Sequence, residues 1–186
     1  MQSLPIPSLI EGEFLELRPL EIGHFDALYG VASDPLIWAQ HPSPTRYQEP
    51  VFREWFEQAL NAQSVLVVID RDNNRVVGSS RYYDFIEEKR EVAVGYTFLA
   101  REKWGGGANG ELKRLMLKHA FQWVDTVWFH IGAQNIRSQR AMEKIGGHFS
   151  HTSIKEFAGR SQENFFYKVE RTTFERSVMG IRNWHC

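Results

Sequence analysis

Residues 91–121 read "EVAVGYTFLAREKWGGGANGELKRLMLKHAF". The first ten alternate in the manner of a β-strand. From Ala108 the period changes: Leu112, Leu115, Met116, His119, Ala120 and Trp123 share one face of a helix predicted to run to Val124. Between the two stand Gly105, Gly106 and Gly107 in a row, with Gly110 three residues on. Glycine at the mouth of a helix lets main-chain N–H groups close in on an anion at the positive end of the helix. Arg101, Lys103, Lys113 and Arg114 flank the loop, as basic residues of a solvated surface.

Working outward, "TVWFHIG" (126–132) is the next strand. A helix joins it to "EVAVGYTFLA", so these two strands are expected to lie parallel in one sheet. "NIRSQRAMEKIGG" (135–147) reads as a short helix stopped by a glycine pair. "HFSHTSIKEF" (148–157) and "ENFFYKVERTTF" (163–174) form a strand pair across the turn "AGRSQ". Upstream, "FLELRPL" (14–20) is a first strand. Two amphipathic helices follow, with Phe25, Leu28, Tyr29 and Ala32 on one face of the first and Val51, Trp55 and Ala59 on one face of the second. The proline-rich "PLIWAQHPSPTRY" (35–47) between them is a loop or broken helix. "SVLVVID" (64–70) and "RVVGSSRYYDFI" (75–86) make a hairpin, and "EEKR" turns into the strand quoted first. The order β-α-α-β-β-β-α-β-α-β-β is an α/β arrangement with a mixed sheet.

The 186 residues are enough for one domain with a substantial core. With 42% hydrophobic and 24% charged residues the chain is an ordinary globular protein. A net charge of −1 steers it toward neither nucleic acid nor an anionic membrane. No apolar run approaches the length of a membrane span, and "MQSLPIPSLIEGEF" lacks the order of a signal peptide. The sole cysteine, Cys186, excludes a disulfide framework and a thiolate metal cluster, and a cytoplasmic protein without a metal is expected.

Gly105, Gly107 and Gly110 satisfy G-x-G-x-x-G, the dinucleotide fingerprint. That motif also requires an acid at the end of the following strand to hold a ribose. Here the strand ends in "GAQN", so the context fails. Gly105 and Gly110 also fit a P-loop, but Glu111-Leu112 stands where Lys-Ser/Thr is needed, and that reading fails too.

Taken together, "VAVGYTFLAREKWGGGANGELKRLML" and "VWFHIGAQNIRSQRAMEKIGG" resemble the GNAT superfamily of N-acetyltransferases. They are most like the branch that acetylates the N-termini of bacterial ribosomal proteins. The resemblance rests on Gly95-Tyr96, on Trp104 through Gly107, and on Asn135, Ser138, Glu143, Lys144 and Gly146 in that order and spacing. It implies a single domain over 1–186, with a core at about 10–170 and a tail at about 176–186. The implied fold is a GNAT-like mixed sheet of about six to seven strands with helices on both faces. A V-shaped split parts its two parallel central strands. The implied co-substrate is acetyl-CoA, with its pyrophosphate on backbone amides at Gly105, Gly106, Gly107, Ala108, Asn109 and Gly110 beside Trp104. Pantetheine would lie like an added strand along Thr97, Phe98 and Leu99, reached by Asn135. A homodimer is left open.

The same resemblance implies a backbone oxyanion donor near Phe98 or Leu99. Where much of the superfamily has a tyrosine as proton donor this chain has Met142, and Ser138, one turn earlier, is the alternative. Its hydroxyl could equally bind its own helix backbone. Ala93 occupies a place where relatives carry an acid; Glu91, on the same strand face, is the candidate base. Trp38, Tyr83 and Asp84 are candidates for the amine site, in which an acid would suit a cationic amine or a peptide N-terminus. Core packing is the competing role for Trp38 and Tyr83. The leading expectation is an acetyl-CoA-dependent N-acetyltransferase. The alternative is a catalytically weak acyl-CoA-binding or regulatory module, suggested by Met142 and Ala93.

Overall fold

Burial on both sides of one sheet accounts for the long apolar runs of this chain. The computed structural model describes residues 3–157 and 160–182. In chain order the elements are β1 (Ile10–Glu11), β2 (Leu15–Pro19), α1 (Phe25–Ala32), α2 (Glu49–Ala62), β3 (Val65–Asp70), β4 (Arg75–Ile86), β5 (Glu91–Leu99), α3 (Ala108–Ala120), β6 (Thr126–Gly132), α4 (Ile136–Lys144), β7 (His148–Phe157), β8 (Arg160–Glu170) and α5 (Arg171–Arg182). The strands form one sheet in the order β1-β2-β3-β4-β5-β6-β8-β7. Neighbours are antiparallel except β5 and β6, which are parallel as the intervening helix requires.

Strand β3, "VLVVID", is buried along its whole length because both of its faces are covered. Leu66 and Val68 point to a core built with Leu112, Met116 and Leu117 of α3. Val65, Val67 and Ile69 point the other way, onto Leu28 of α1 and Phe52, Trp55 and Phe56 of α2. The two faces of the sheet are therefore an α3 face and an α1/α2 face.

Four expectations are corrected. The sheet has eight strands rather than six or seven; the addition is two-residue β1, too short to show a period. Helix α3 ends at Ala120, not Val124: the N–H groups of Gln122 and Trp123 turn back onto the carbonyls of His119 (3.1 Å) and Ala120 (2.9 Å). Trp123 is consequently 45% exposed instead of joining the apolar face. Strand β8 begins at Arg160, earlier than "AGRSQ" suggests, and residues 158–159 of that turn lie outside the described residues. "RTTF" and most of the tail form α5, whose Phe174 packs on Phe121 with ring centroids 5.3 Å apart. Residues 183–186, with Cys186, lie outside the described residues.

Candidate active site

The parallel pairing of β5 with β6 covers Glu91↔Thr126, Val92↔Val127 and Ala93↔Trp128, and stops there. Beyond it β5 stays with β4 as far as Leu99, and β6 stays with β8 as far as Gly132. The two strands thus part into a V. Its apex is held by Asp125, which takes Arg90 Nε at 2.6 Å and Arg171 Nη2 at 3.0 Å. Arg90 also accepts the N–H groups of Asp125 and Thr126 at its carbonyl, at 2.8 and 3.2 Å.

A bulge bends β5 at the opening. Ser79 pairs with Phe98 and Arg81 with Gly95, so Tyr96 and Thr97 together oppose Ser80. Tyr96 has φ of 52°, a left-handed conformation that a tyrosine adopts only under constraint. Gly95 before it serves close approach: a Cβ there would sit 2.9 Å from Cε1 of Tyr83. Tyr83 therefore lies over β5 on the α1/α2 face, and its hydroxyl reaches His130 Nδ1 on β6 at 3.1 Å.

Lys155 Nζ also donates to His130 Nδ1, at 3.1 Å. Burial pushes the His130 pKa down to about 4, so the imidazole is neutral, and Nδ1 has one lone pair for these two neighbours. Burial raises the Tyr83 phenol, so it stays protonated. Asp84 is more exposed and faces Lys155 at 4.0 Å.

On the α3 face, Thr97 Oγ1 meets Ser80 Oγ at 2.7 Å and accepts from Lys113 Nζ at 2.6 Å. Lys113 is only 5% exposed and no carboxylate among the described residues pairs with it; the ring of Phe129 lies 5.5 Å away. Desolvation pushes its pKa down to about 7. The reading of Lys113 as a surface charge beside the loop is corrected here. Two other loop cations are engaged as well: Lys103 holds Asp70 at 2.6 Å, and Arg101 is bound to Asp34.

The glycine loop leads from β5 into α3. Gly105 has φ of +75°, which favours glycine. A Cβ built at Gly105, Gly106 or Gly107 meets nothing within 4 Å, so the loop stands open. Gly107 begins α3 with no side-chain cap, and the first helical bond runs from Glu111 N–H to Gly107 O at 2.9 Å. The amides of Ala108, Asn109 and Gly110 have no acceptor within the helix. Glu111 does not oppose an anion at this end: its carboxylate is turned to the N–H groups of Glu13 and Phe14. Such a set of open amides fits a pyrophosphate.

Trp104 fixes the loop from below. Its indole N–H donates to Leu99 O at 3.0 Å, and the Arg137 guanidinium of α4 lies 3.9 Å from its ring centroid. Asn135 precedes α4, and its Oδ1 accepts the Ser138 N–H at 3.1 Å, an N-cap. Ser138 Oγ has no hydrogen bond among the described residues, so the helix-backbone alternative finds no contact here. Met142, at the tyrosine register, is buried in the α3-face core.

The sequence candidates are thus divided. Thr97, Phe98 and Leu99 lie on β5 beyond its pairing with β6, with the Phe98 ring in the α1/α2-face core; Trp104 and the loop from Gly105 to Gly110 follow them into α3, and Asn135 and Ser138 stand at the start of α4 after β6. Glu91 stands at the apex, paired with Thr126. Tyr83 crosses the V, and Trp38 does not line it: its ring is 1% exposed, with its indole N–H on Ala32 O at 2.7 Å. Sequence reasoning misses Arg46 and Arg137 and misplaces Lys113, because an isolated basic residue signals nothing until its burial is known.

The sheet thus parts between parallel central strands beside an open and uncapped helix N-terminus. Residues 15–148 match the acetyltransferase (GNAT) domain, and the chain belongs to that family and is an acetyltransferase enzyme. A GCN5-related N-acetyltransferase from Brucella melitensis superposes with a TM-score of 0.80 at 19% identity, covering 93% of this chain and 83% of the other. A GNAT-family acetyltransferase from Bacillus anthracis gives 0.74 at 19%, covering 87% and 98%. Spermidine N-acetyltransferase from Vibrio cholerae, solved with CoA and spermine, gives 0.68 at 18%, covering 87% and 98%. At these identities the likeness is one of fold. Among the described residues no helix is long and apolar enough to cross a membrane, and no group of three or more His, Cys, Asp or Glu is placed to hold a metal.

Proposed function

We propose that this enzyme moves the acetyl group of acetyl-CoA to a primary amine by direct attack in a ternary complex. The observation that carries the reading is the parting of β5 from β6 beside the uncapped start of α3. It makes an opening through the sheet, with the co-substrate on the α3/α4 side and the amine on the α1/α2 side. Bound acetyl-CoA supplies an acyl thioester; everything else is done by residues of this chain.

The amides from Gly105 to Gly110 hold the pyrophosphate, and Arg137 adds positive charge at the same end. The backbone of Thr97, Phe98 and Leu99 lines the pantetheine, with the Asn135 amide directed to it. A backbone N–H at Phe98 or Leu99 donates to the carbonyl oxygen as charge builds on it. The N–C bond forms as the C–S bond breaks, and one proton passes from nitrogen to sulfur overall. Ser138 Oγ, with no partner among the described residues, delivers a proton to the leaving thiolate. Glu91 shares its strand face with Ala93 and Gly95 and collects the amine proton through water from the apex. The acceptor is a small amine or a peptide N-terminus, as in the branch that the sequence resembles, and the protein works in the cytoplasm.

Calorimetric titration with acetyl-CoA, ATP and NAD, followed by thiol release with a panel of amines, tests this. Selective acetyl-CoA binding with release on an amine is expected. Equal affinity for ATP or NAD would remove the loop assignment. Binding without release on any amine would leave an acyl-CoA-binding module. Sedimentation analysis decides whether the enzyme is a homodimer.

A further inference from the structure

Arg46 is a buried guanidinium with no anion beside it among the described residues. It is 7% exposed, and its Nε is a buried donor with no hydrogen-bond partner. Its Nη2 has only a long contact to Ser43 Oγ, at 3.4 Å. The group instead lies over two indoles, 5.2 Å from the Trp38 ring and 5.7 Å from that of Trp55. Burial pulls its pKa down to about 10, which still leaves it charged at neutral pH.

A buried charge of this kind is costly unless something pairs with it. The two indoles give the guanidinium no acceptor, and its unpartnered Nε suits a planar anion.

The position of Arg46 links it to the bulge. The two indoles beneath it contact Phe98, at 5.2 Å for Trp38 and 5.8 Å for Trp55. Phe98 in turn borders the bulge at Tyr96, the left-handed residue at the opening. Ser79, opposite Phe98 in the β4–β5 register, adds a fully buried hydroxyl oxygen without a partner to the same patch. All of this lies on the α1/α2 face, from which the amine approaches. Two further cations stand on this face: Arg81 lies 5.2 Å over the Tyr96 ring, and Lys155 lies 3.1 Å from His130. The acid expected to attract a cationic amine, Asp84, already faces Lys155.

We propose that Arg46 binds a carboxylate carried by the acceptor, so that the acetylated amine belongs to an amino-acid-like molecule rather than a polyamine. This rests on the acetyltransferase reading given above and narrows its acceptor. A carboxylate on the edge of the guanidinium supplies Nε with its missing acceptor and neutralises the buried charge. The amine at the other end of the same molecule is then directed toward the bulge in β5.

The test uses α-amino acids and ω-amino acids of increasing length, each paired with its own carboxamide, and spermidine as the cationic contrast. Binding is read from tryptophan fluorescence, since Trp38 and Trp55 flank Arg46, and turnover from thiol release. Acids are expected to be preferred over their amides by about 10²-fold or more in kcat/KM, because the amide leaves the guanidinium unneutralised. R46Q should abolish the preference mainly by raising KM, R46K should restore part of it, and both should bind acetyl-CoA with unchanged Kd. Acids and amides that bind and react alike, a panel in which no acid binds, or a preference that survives R46Q would each overturn the proposal. Failure of the unaltered enzyme to bind acetyl-CoA would instead refute the transferase reading beneath it. A thermal melt of each variant separates loss of recognition from loss of fold.

Discussion

Replacing Lys113 with methionine should stabilise the protein most at neutral and acid pH, and progressively less as the pH rises. The side chain is 5% exposed, and its folded pKa lies near 7 against an ordinary value of 10.5. Between those values the unfolded chain binds more protons than the folded one, so wild-type stability rises with pH across that window. Below about pH 7 both states are protonated and the folded protein carries the full cost of a buried ammonium. Above about 10.5 both are neutral and the cost is gone. A tenfold change in proton affinity corresponds to about 1.4 kcal/mol, so the whole window amounts to roughly 5 kcal/mol. Loss of the hydrogen bond to Thr97 adds an opposing offset of about 1 kcal/mol. Urea unfolding of wild type and K113M, followed by fluorescence from pH 6 to 9.5, isolates the effect, since groups common to both proteins cancel in the difference. The stability of K113M minus that of wild type should fall by on the order of 3 kcal/mol between those limits. A difference that stays flat with pH would show that Lys113 is not held against its charge, and the reasoning would be wrong.

Gly107→Val adds a Cβ that meets no protein atom within 4 Å, so the fold should survive while acetyl-CoA affinity drops about tenfold or more; calorimetry beside a thermal melt reads both. Ser138→Ala should lower kcat by about 10²-fold with little change in acetyl-CoA Kd, and near-normal turnover would return the residue to a structural role. Glu91→Gln should flatten the acid limb of the pH–rate profile, and an unaltered limb would exclude it as the base.

Periodic features of the sequence carry over well into the structure. The strands of the central hairpins and the parallel crossover through α3 are legible because their alternation and turn residues agree. Helix α5 is not, since "RTTF" carries the β-branched residues of a strand and is helical where Phe174 packs on Phe121. In the loop, Gly105 takes a φ of +75° that favours glycine, whereas Asn135 stands out in the sequence only through the family motif. Arg46 and Lys113 cannot be read from the sequence. Each is an ordinary basic residue in a polar-looking stretch, and only long-range packing, over Trp38 and Trp55 in one case and against Phe129 and Thr97 in the other, makes it unusual.

The clamp of Arg90 and Arg171 on Asp125 marks the point from which β5 and β6 diverge. Only three residue pairs join β5 to β6 there, and from Ala93 to Leu99, about 20 Å at roughly 3.3 Å per residue, β5 is held along one edge only, by β4. Each wall of the opening thus has its own strand partner, β4 for β5 and β8 for β6, and the two meet only at the apex, beside the ion cluster on Asp125.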